Sequence, residues 1–178
     1  MFNLETLAQT TAPLSRINLS AGLNEFPAGL YRFADSLEIL DLSALALACK
    51  SLSEAVQDSK NQSFIASLSD SQKRLIVAGV IQNFEFCYEL CVKMIKRQLE
   101  QDAAALSDID QYSFRDLIRT AMEKGLLDDP ELWFEFRRQR NITSHTYDQD
   151  KASVVYQAAL SFETQALSVL QRLQQRNA

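Results

Sequence analysis

From Asp41 onward the apolar positions recur every three or four residues, and nowhere does the chain alternate with a period of two. That pattern predicts helices alone. Asp41 or Ser43 can cap a first helix running to about Gln57, with Leu42, Leu45, Leu52 and Val56 on one stripe. A polar stretch, residues 58–62, and a short apolar piece follow. Ser69-Asp70 opens the longest helix, to about Gln101, with Gly79 its one weak point. Its apolar residues, Ile76, Val77, Val80, Ile81, Phe84, Cys87, Tyr88, Cys91, Met94 and Ile95, form a stripe wide enough for the inside of a bundle. Ser113 and Asp116 make a capping box, and the helix behind them stops near Lys124-Gly125. Asp129-Pro130 supplies an N-cap and a first-turn proline for a helix over residues 131–143. Asp148 or Asp150 opens the last helix, with Val154, Leu160, Leu167, Leu170 and Leu173 apolar.

Four or five helices joined by short links predict an all-α, antiparallel up-and-down bundle over residues 41–178. Residues 1–40 read differently. They hold Pro13, Pro27, Gly22 and Gly29 among short apolar runs, which predicts an N-terminal arm of short helices or irregular chain.

Composition narrows the function classes. The chain has 178 residues, a net charge of −5 and four scattered glycines. Neither GxGxxG nor GxxxxGK[ST] occurs, which excludes Rossmann and P-loop nucleotide sites. The acidic balance argues against a broad grip on nucleic acid but leaves room for a local basic patch. Three cysteines (49, 87, 91) read as reduced thiols of a cytoplasmic protein. No signal peptide and no long uninterrupted apolar run is visible, so no membrane association is expected. A single His excludes a His-rich metal site, and Cys87 and Cys91, one turn apart, read as core residues. Neither a metal nor another cofactor is expected.

One segment concentrates chemistry. Residues 137–147, RRQRNITSHTY, bring together Arg137, Arg138, Arg140, Asn141, Ser144, the only His, His145, and Tyr147. Arg115 and Arg119 on the preceding helix can extend the patch. Histidine moves protons near neutral pH, and arginine clamps and neutralises a phosphate. Asn141 and Ser144 can orient a substrate by hydrogen bonds. That set suits RNA cleavage. It also suits a basic helix end favoured by the helix dipole, with His145 as a cap. Arg140 and His145 are five residues apart, about 140° around an ideal helix, so they converge only if the helix loosens or a second subunit completes the site. Glu85, Glu89, Lys93 and Arg97 lie four apart on one helix edge. They read either as a solvated face with a Glu89–Lys93 pair or as the border of a polar cleft.

The run IQNFEFCYEL, residues 81–90, and the run RNITSHTY, residues 140–147, resemble the signature of one branch of the HEPN superfamily, the nucleotidyltransferase substrate-binding proteins. The tract from Gly125 through Trp133 is similar as well, and the likeness spans about residues 41–175, with Val92 where the family carries an aromatic. The resemblance implies a four-to-five-helix bundle that forms a homodimer around a shared polar cleft. It implies a metal-independent endoribonuclease toxin, with a minimal nucleotidyltransferase as the antitoxin partner. Arg140 and His145 would be catalytic. Asn141, Ser144, Arg137, Glu85 and Glu89 would support them or bind phosphate. Tyr147 would be the site of adenylylation. The alternative is a non-catalytic substrate-binding subunit of a two-component nucleotidyltransferase. A third possibility is a helical interaction protein without a small-molecule site.

Overall fold

The computed structural model describes residues 39–103, 109–142 and 149–178, and residues 39–178 form one compact unit. Among the described residues there are six helices: α1 (Ser43–Lys60), α2 (Gln62–Ser67), α3 (Asp70–Asp102), α4 (Phe114–Glu123), α5 (Pro130–Ile142) and α6 (Gln149–Arg176). No strand occurs among them. The arm expected over residues 1–40 lies almost wholly outside this range. Of its last two residues, Ile39 is exposed and Leu40 is buried in the core.

Local chemistry explains where the helices start and stop. Ser69 caps α3 in a reciprocal capping box with Gln72, and Ser113 does the same for α4 with Asp116. The Asp129 carboxylate accepts from the backbone N–H groups of Glu131 (3.0 Å) and Leu132 (3.2 Å), ahead of Pro130 at the first position of α5. Behind α4, Gly125 takes φ +71°, while its N–H donates to the Met122 carbonyl and the Leu126 N–H to the Ala121 carbonyl, both at 2.8 Å. That closes the helix and turns the buried Leu126 and Leu127 inward. The start of α1 differs from expectation. Leu42 stands at the N-cap, and Asp41 reaches forward from outside the helix to accept the Ser43 N–H at 2.9 Å. The short helix α2, capped by Asn61, forms where the sequence suggested only a polar link and an apolar piece.

Long-range bonds fix the helix directions. Leu40, just ahead of α1, donates to Asn177 beyond α6, whereas Ser59 near the end of α1 accepts from Tyr156 near the start of α6. These two helices are therefore antiparallel. Gln98 and Asp102 at the end of α3 bond Asn177 and Arg176, so α3 runs alongside α6 in the same sense. Asp128, before α5, pairs with Arg172 late in α6, so α5 runs against both. The long helices thus go up, down, up, down, as the periodicity predicted, with α2 and α4 as additions in the connections.

The core explains α3. This helix is long and apolar enough to cross a bilayer, with a best-window mean hydropathy of 1.4. One stripe of it, however, from Val80 through Phe84, Cys87, Cys91 and Ile95 to Leu99, is buried in the bundle core, while Phe86 on the opposite side is exposed. Five rings interlock at the centre: Phe84 and Tyr88 of α3, Trp133 and Phe136 of α5, and Phe162 of α6. Phe162 meets the other four at centroid distances of 5.0–5.9 Å. Cys87 and Cys91 are core residues, as expected, and Cys49 joins them, its sulfur 3.6 Å from that of Cys87. Burial pushes the Cys91 thiol well up.

One stripe differs from expectation. On α6, Val154 is 55% exposed and Leu167 is 44% exposed. The buried row is Val155, Ala159, Phe162, Ala166, Val169 and Leu173, of which only Leu173 was expected. The spacing of alternating fours and threes faces the core, and the two alanines let α6 approach its neighbours closely.

Candidate active site

The aromatic core carries α5 against α3 and sets where the last turn of α5 ends. Trp133 and Phe136 are buried on its inner stripe, and Gln139 continues that stripe at 3% exposure. Arg140 is the next residue, at the rim. Its guanidinium forms an ion pair with Glu89 of α3. The hydrogen bond that Arg140 donates to Glu89 pushes the Arg140 pKa up, with the Glu85 carboxylate adding to the same effect. The described residues thus bring together Arg140, Glu89 and Glu85 of the expected set. Glu89 goes across to α5, and the expected Glu89–Lys93 pair is not among the ion pairs of the described residues. Both partners of the Arg140–Glu89 pair are about half exposed, so the pair adds only about 0.2–1 kcal/mol to stability. Its consequence is orientation: the carboxylate fixes a flexible guanidinium that stays partly exposed to solvent.

Arg137 lies one turn before Arg140 and stacks over the Phe114 ring of α4, 4.1 Å from its centroid. Arg138 points elsewhere, into a 2.9 Å ion pair with Glu135. Asn141 is exposed beside Arg140. Ser144, His145 and Tyr147 lie outside the described residues, as does Thr143 at the expected end of α5.

Two residues near this rim escaped the sequence reading. The Tyr88 hydroxyl is buried and has no hydrogen-bond partner among the described residues. Burial pushes its pKa up, and the positive charges of Arg137 and Arg140 work against that rise. Gln139 donates its amide to Glu135, while its carbonyl oxygen is buried without a partner among the described residues. The available signal was polar atoms on apolar stripes: a tyrosine between Cys87 and Cys91, and a glutamine three residues past Phe136. Chemically, the arrangement offers an oriented guanidinium at a helix end, a second guanidinium one turn away, and two carboxylates that can hold or exchange hydrogen bonds.

Comparison with known proteins follows the same residues. The family model of nucleotidyltransferase substrate binding protein like chains matches residues 40–175. A Haemophilus influenzae protein named probable ribonuclease HepT is 42% identical over 138 residues, covering 78% of this chain and 94% of that protein. A solved Haemophilus influenzae structure, described as the fold of a substrate binding domain of a nucleotidyltransferase, superposes with a TM-score of 0.73. It is 40% identical and covers 75% of this chain and 99% of its own. The chain therefore belongs to the nucleotidyltransferase substrate binding protein like family, the branch that its two sequence signatures resemble.

Proposed function

We propose that this protein is a metal-independent endoribonuclease toxin of the cytoplasm, kept silent by a minimal nucleotidyltransferase. The observation that carries the reading is Arg140, held by Glu89 at the open end of α5 and followed five residues later by the chain's only histidine. The relative named probable ribonuclease supports the same reading. His145 handles protons while the RNA 2′-hydroxyl attacks the adjacent phosphorus. A 2′-O–P bond forms, the P–O5′ bond breaks, and the proton passes to the leaving 5′-oxygen. Arg140 neutralises the charge that builds on the phosphoryl oxygens. Arg137, Asn141 and Ser144 hold the phosphate, and Glu89, with Glu85 behind it, keeps the Arg140 fork in place. Two copies of the chain pair so that both Arg140–His145 motifs face one cleft. Adenylylation of Tyr147 by the partner places a bulky anion where the RNA phosphate must sit.

A second reading is supported by the solved relative described as a substrate binding domain of a nucleotidyltransferase. An Arg–His cleft can bind a nucleotide phosphate without cutting RNA. Expression of the chain alone separates the two. Growth arrest and RNA cleavage by the wild type, both lost in His145→Ala, support the nuclease. Normal growth and intact RNA, with nucleotide binding retained, would favour the substrate-binding subunit.

A further inference from the structure

The contact between α4 and α5 is built in an unusual way. Phe114 of α4 carries Arg137 of α5 on its ring, and Phe134 of α5 carries Arg115 of α4 at 4.6 Å. The two rings meet edge to face, with centroids 6.1 Å apart. The result is a ladder, Arg115–Phe134–Phe114–Arg137, that alternates cation and ring across two helices. Both arginines are exposed and both phenylalanines are half-buried.

As helix packing alone, each cation–ring contact is worth about 0.5–1 kcal/mol. What the packing does not account for is the state of the charges. Arg138, Arg140, Arg172 and Arg176 are each matched to a carboxylate. Among the described residues, neither Arg115 nor Arg137 forms an ion pair, so ring faces rather than acids hold these two. The nearby acids are engaged elsewhere: Asp116 in its capping box with Ser113, and Glu135 with Arg138 and Gln139. A guanidinium stacked on a ring keeps its in-plane donors free for phosphate and its outer face free for a base. Aromatic rings interleaved with unpaired cations are the chemistry by which proteins track a single strand without reading its sequence. The ladder is also continuous with the site: Arg137 is one turn from Arg140, and both act on the Tyr88 hydroxyl.

We propose that the Arg115–Phe134–Phe114–Arg137 ladder is a contact surface for single-stranded RNA, which leads the strand flanking the scissile phosphate to Arg140. The inference rests on the nuclease reading and adds where the substrate lies and why it must be single-stranded.

The test uses the full chain carrying His145→Ala, which binds without cutting, and a fluorescent single-stranded RNA of about 12 nucleotides, within the span of known single-strand sites. Fluorescence anisotropy across a salt series is read for this parent and for Arg115→Gln added to it. The added change is expected to weaken binding about tenfold and to lower the salt slope by about 0.7, as loss of one phosphate contact requires. In the otherwise wild-type chain, Arg115→Gln should lower kcat/KM on the long RNA and leave cleavage of a dinucleoside monophosphate unchanged, because that substrate cannot reach the ladder. Arg115→Lys should restore part of the salt slope. Unchanged affinity and slope in Arg115→Gln, with the parent binding RNA, would overturn the ladder and spare the nuclease. Loss of binding to the nucleotidyltransferase subunit alone would also overturn it and mark the face as a protein interface. A parent that binds no RNA would overturn both.

Discussion

Phe162 is the sharpest test of how the site is held. It is fully buried on α6 and touches four aromatic rings from α3 and α5, at 5.0 Å from Phe136, 5.2 Å from Phe84, 5.6 Å from Trp133 and 5.9 Å from Tyr88. Phe→Ala in a core typically costs about 3–5 kcal/mol, from lost burial and from the cavity that remains. Ring pairs add about 0.5–1.5 kcal/mol each beyond burial, although four pairs around one ring do not sum independently. Phe162→Ala should therefore fall at the top of the range, about 4–5 kcal/mol. At about 2–4 °C per kcal/mol for a domain of this size, the melting temperature should drop by about 8–20 °C. Leu167, on the same helix but largely exposed, provides the contrast: Leu167→Ala should cost less than about 1 kcal/mol. Urea denaturation followed by far-ultraviolet circular dichroism gives both numbers. Equal losses at the two positions, or a loss below about 2 kcal/mol for Phe162→Ala, would refute the assignment of the α6 core face and the seating of α5 that depends on it.

Three further outcomes follow from the same structure. Glu89→Gln should change stability by less than about 1 kcal/mol, because the ion pair is half exposed, yet lower kcat on RNA about 10- to 100-fold by letting Arg140 wander; unchanged kcat would remove Glu89 from the mechanism. Gly125→Ala should destabilise by about 1 kcal/mol in thermal melts, since φ +71° strains any residue with a Cβ whatever the space around it. Stability should also fall in alkali. The hydrogen bond that Cys87 donates to Cys49 raises the Cys87 pKa, and burial raises those of Cys91 and Tyr88. Raised folded pKa values mean that this stability is whole below the unfolded pKa, about 8.5 for a thiol, and is lost as pH climbs toward the folded values, at about 1.4 kcal/mol per pH unit per group. Urea midpoints that stay level from pH 8 to about 10.5 would contradict it.

The bundle was legible because its signals are local. The Ser69-Asp70 start, the capping box at Ser113, the Asp129-Pro130 start and the Gly125 stop depend on residues within one turn of each other, and each stands where the sequence puts it. The α6 face was misjudged because its buried row includes alanines at 159 and 166, which carry no hydrophobic bulk and count as core only once the bundle packs around them. The helix α2 was missed because six residues hold too little periodicity to read. Within the site, the sequence singled out Arg140, Glu85 and Glu89, but it left the two glutamates open between a solvated face with a Glu89–Lys93 pair and the border of a polar cleft. The true partner, Arg140, is 51 residues away, and no spacing rule reaches that far. The ladder of Arg115, Phe134, Phe114 and Arg137 has the same character. Each residue looks ordinary in the chain, and the alternation exists only across two packed helices.

The central claim is that Arg140 and His145 cut RNA. The direct measurement is cleavage of a labelled single-stranded RNA, with its DNA counterpart as control, by the purified chain in EDTA, without the nucleotidyltransferase. The account predicts cleavage of RNA only, products ending in a cyclic phosphate, and a loss of about 10²–10⁴-fold in His145→Ala, the usual weight of acid–base catalysis. Arg140→Lys should be nearly as damaging, because lysine keeps the charge and loses the fork. Intact RNA with the wild-type chain, or cleavage that survives in both variants, would contradict it.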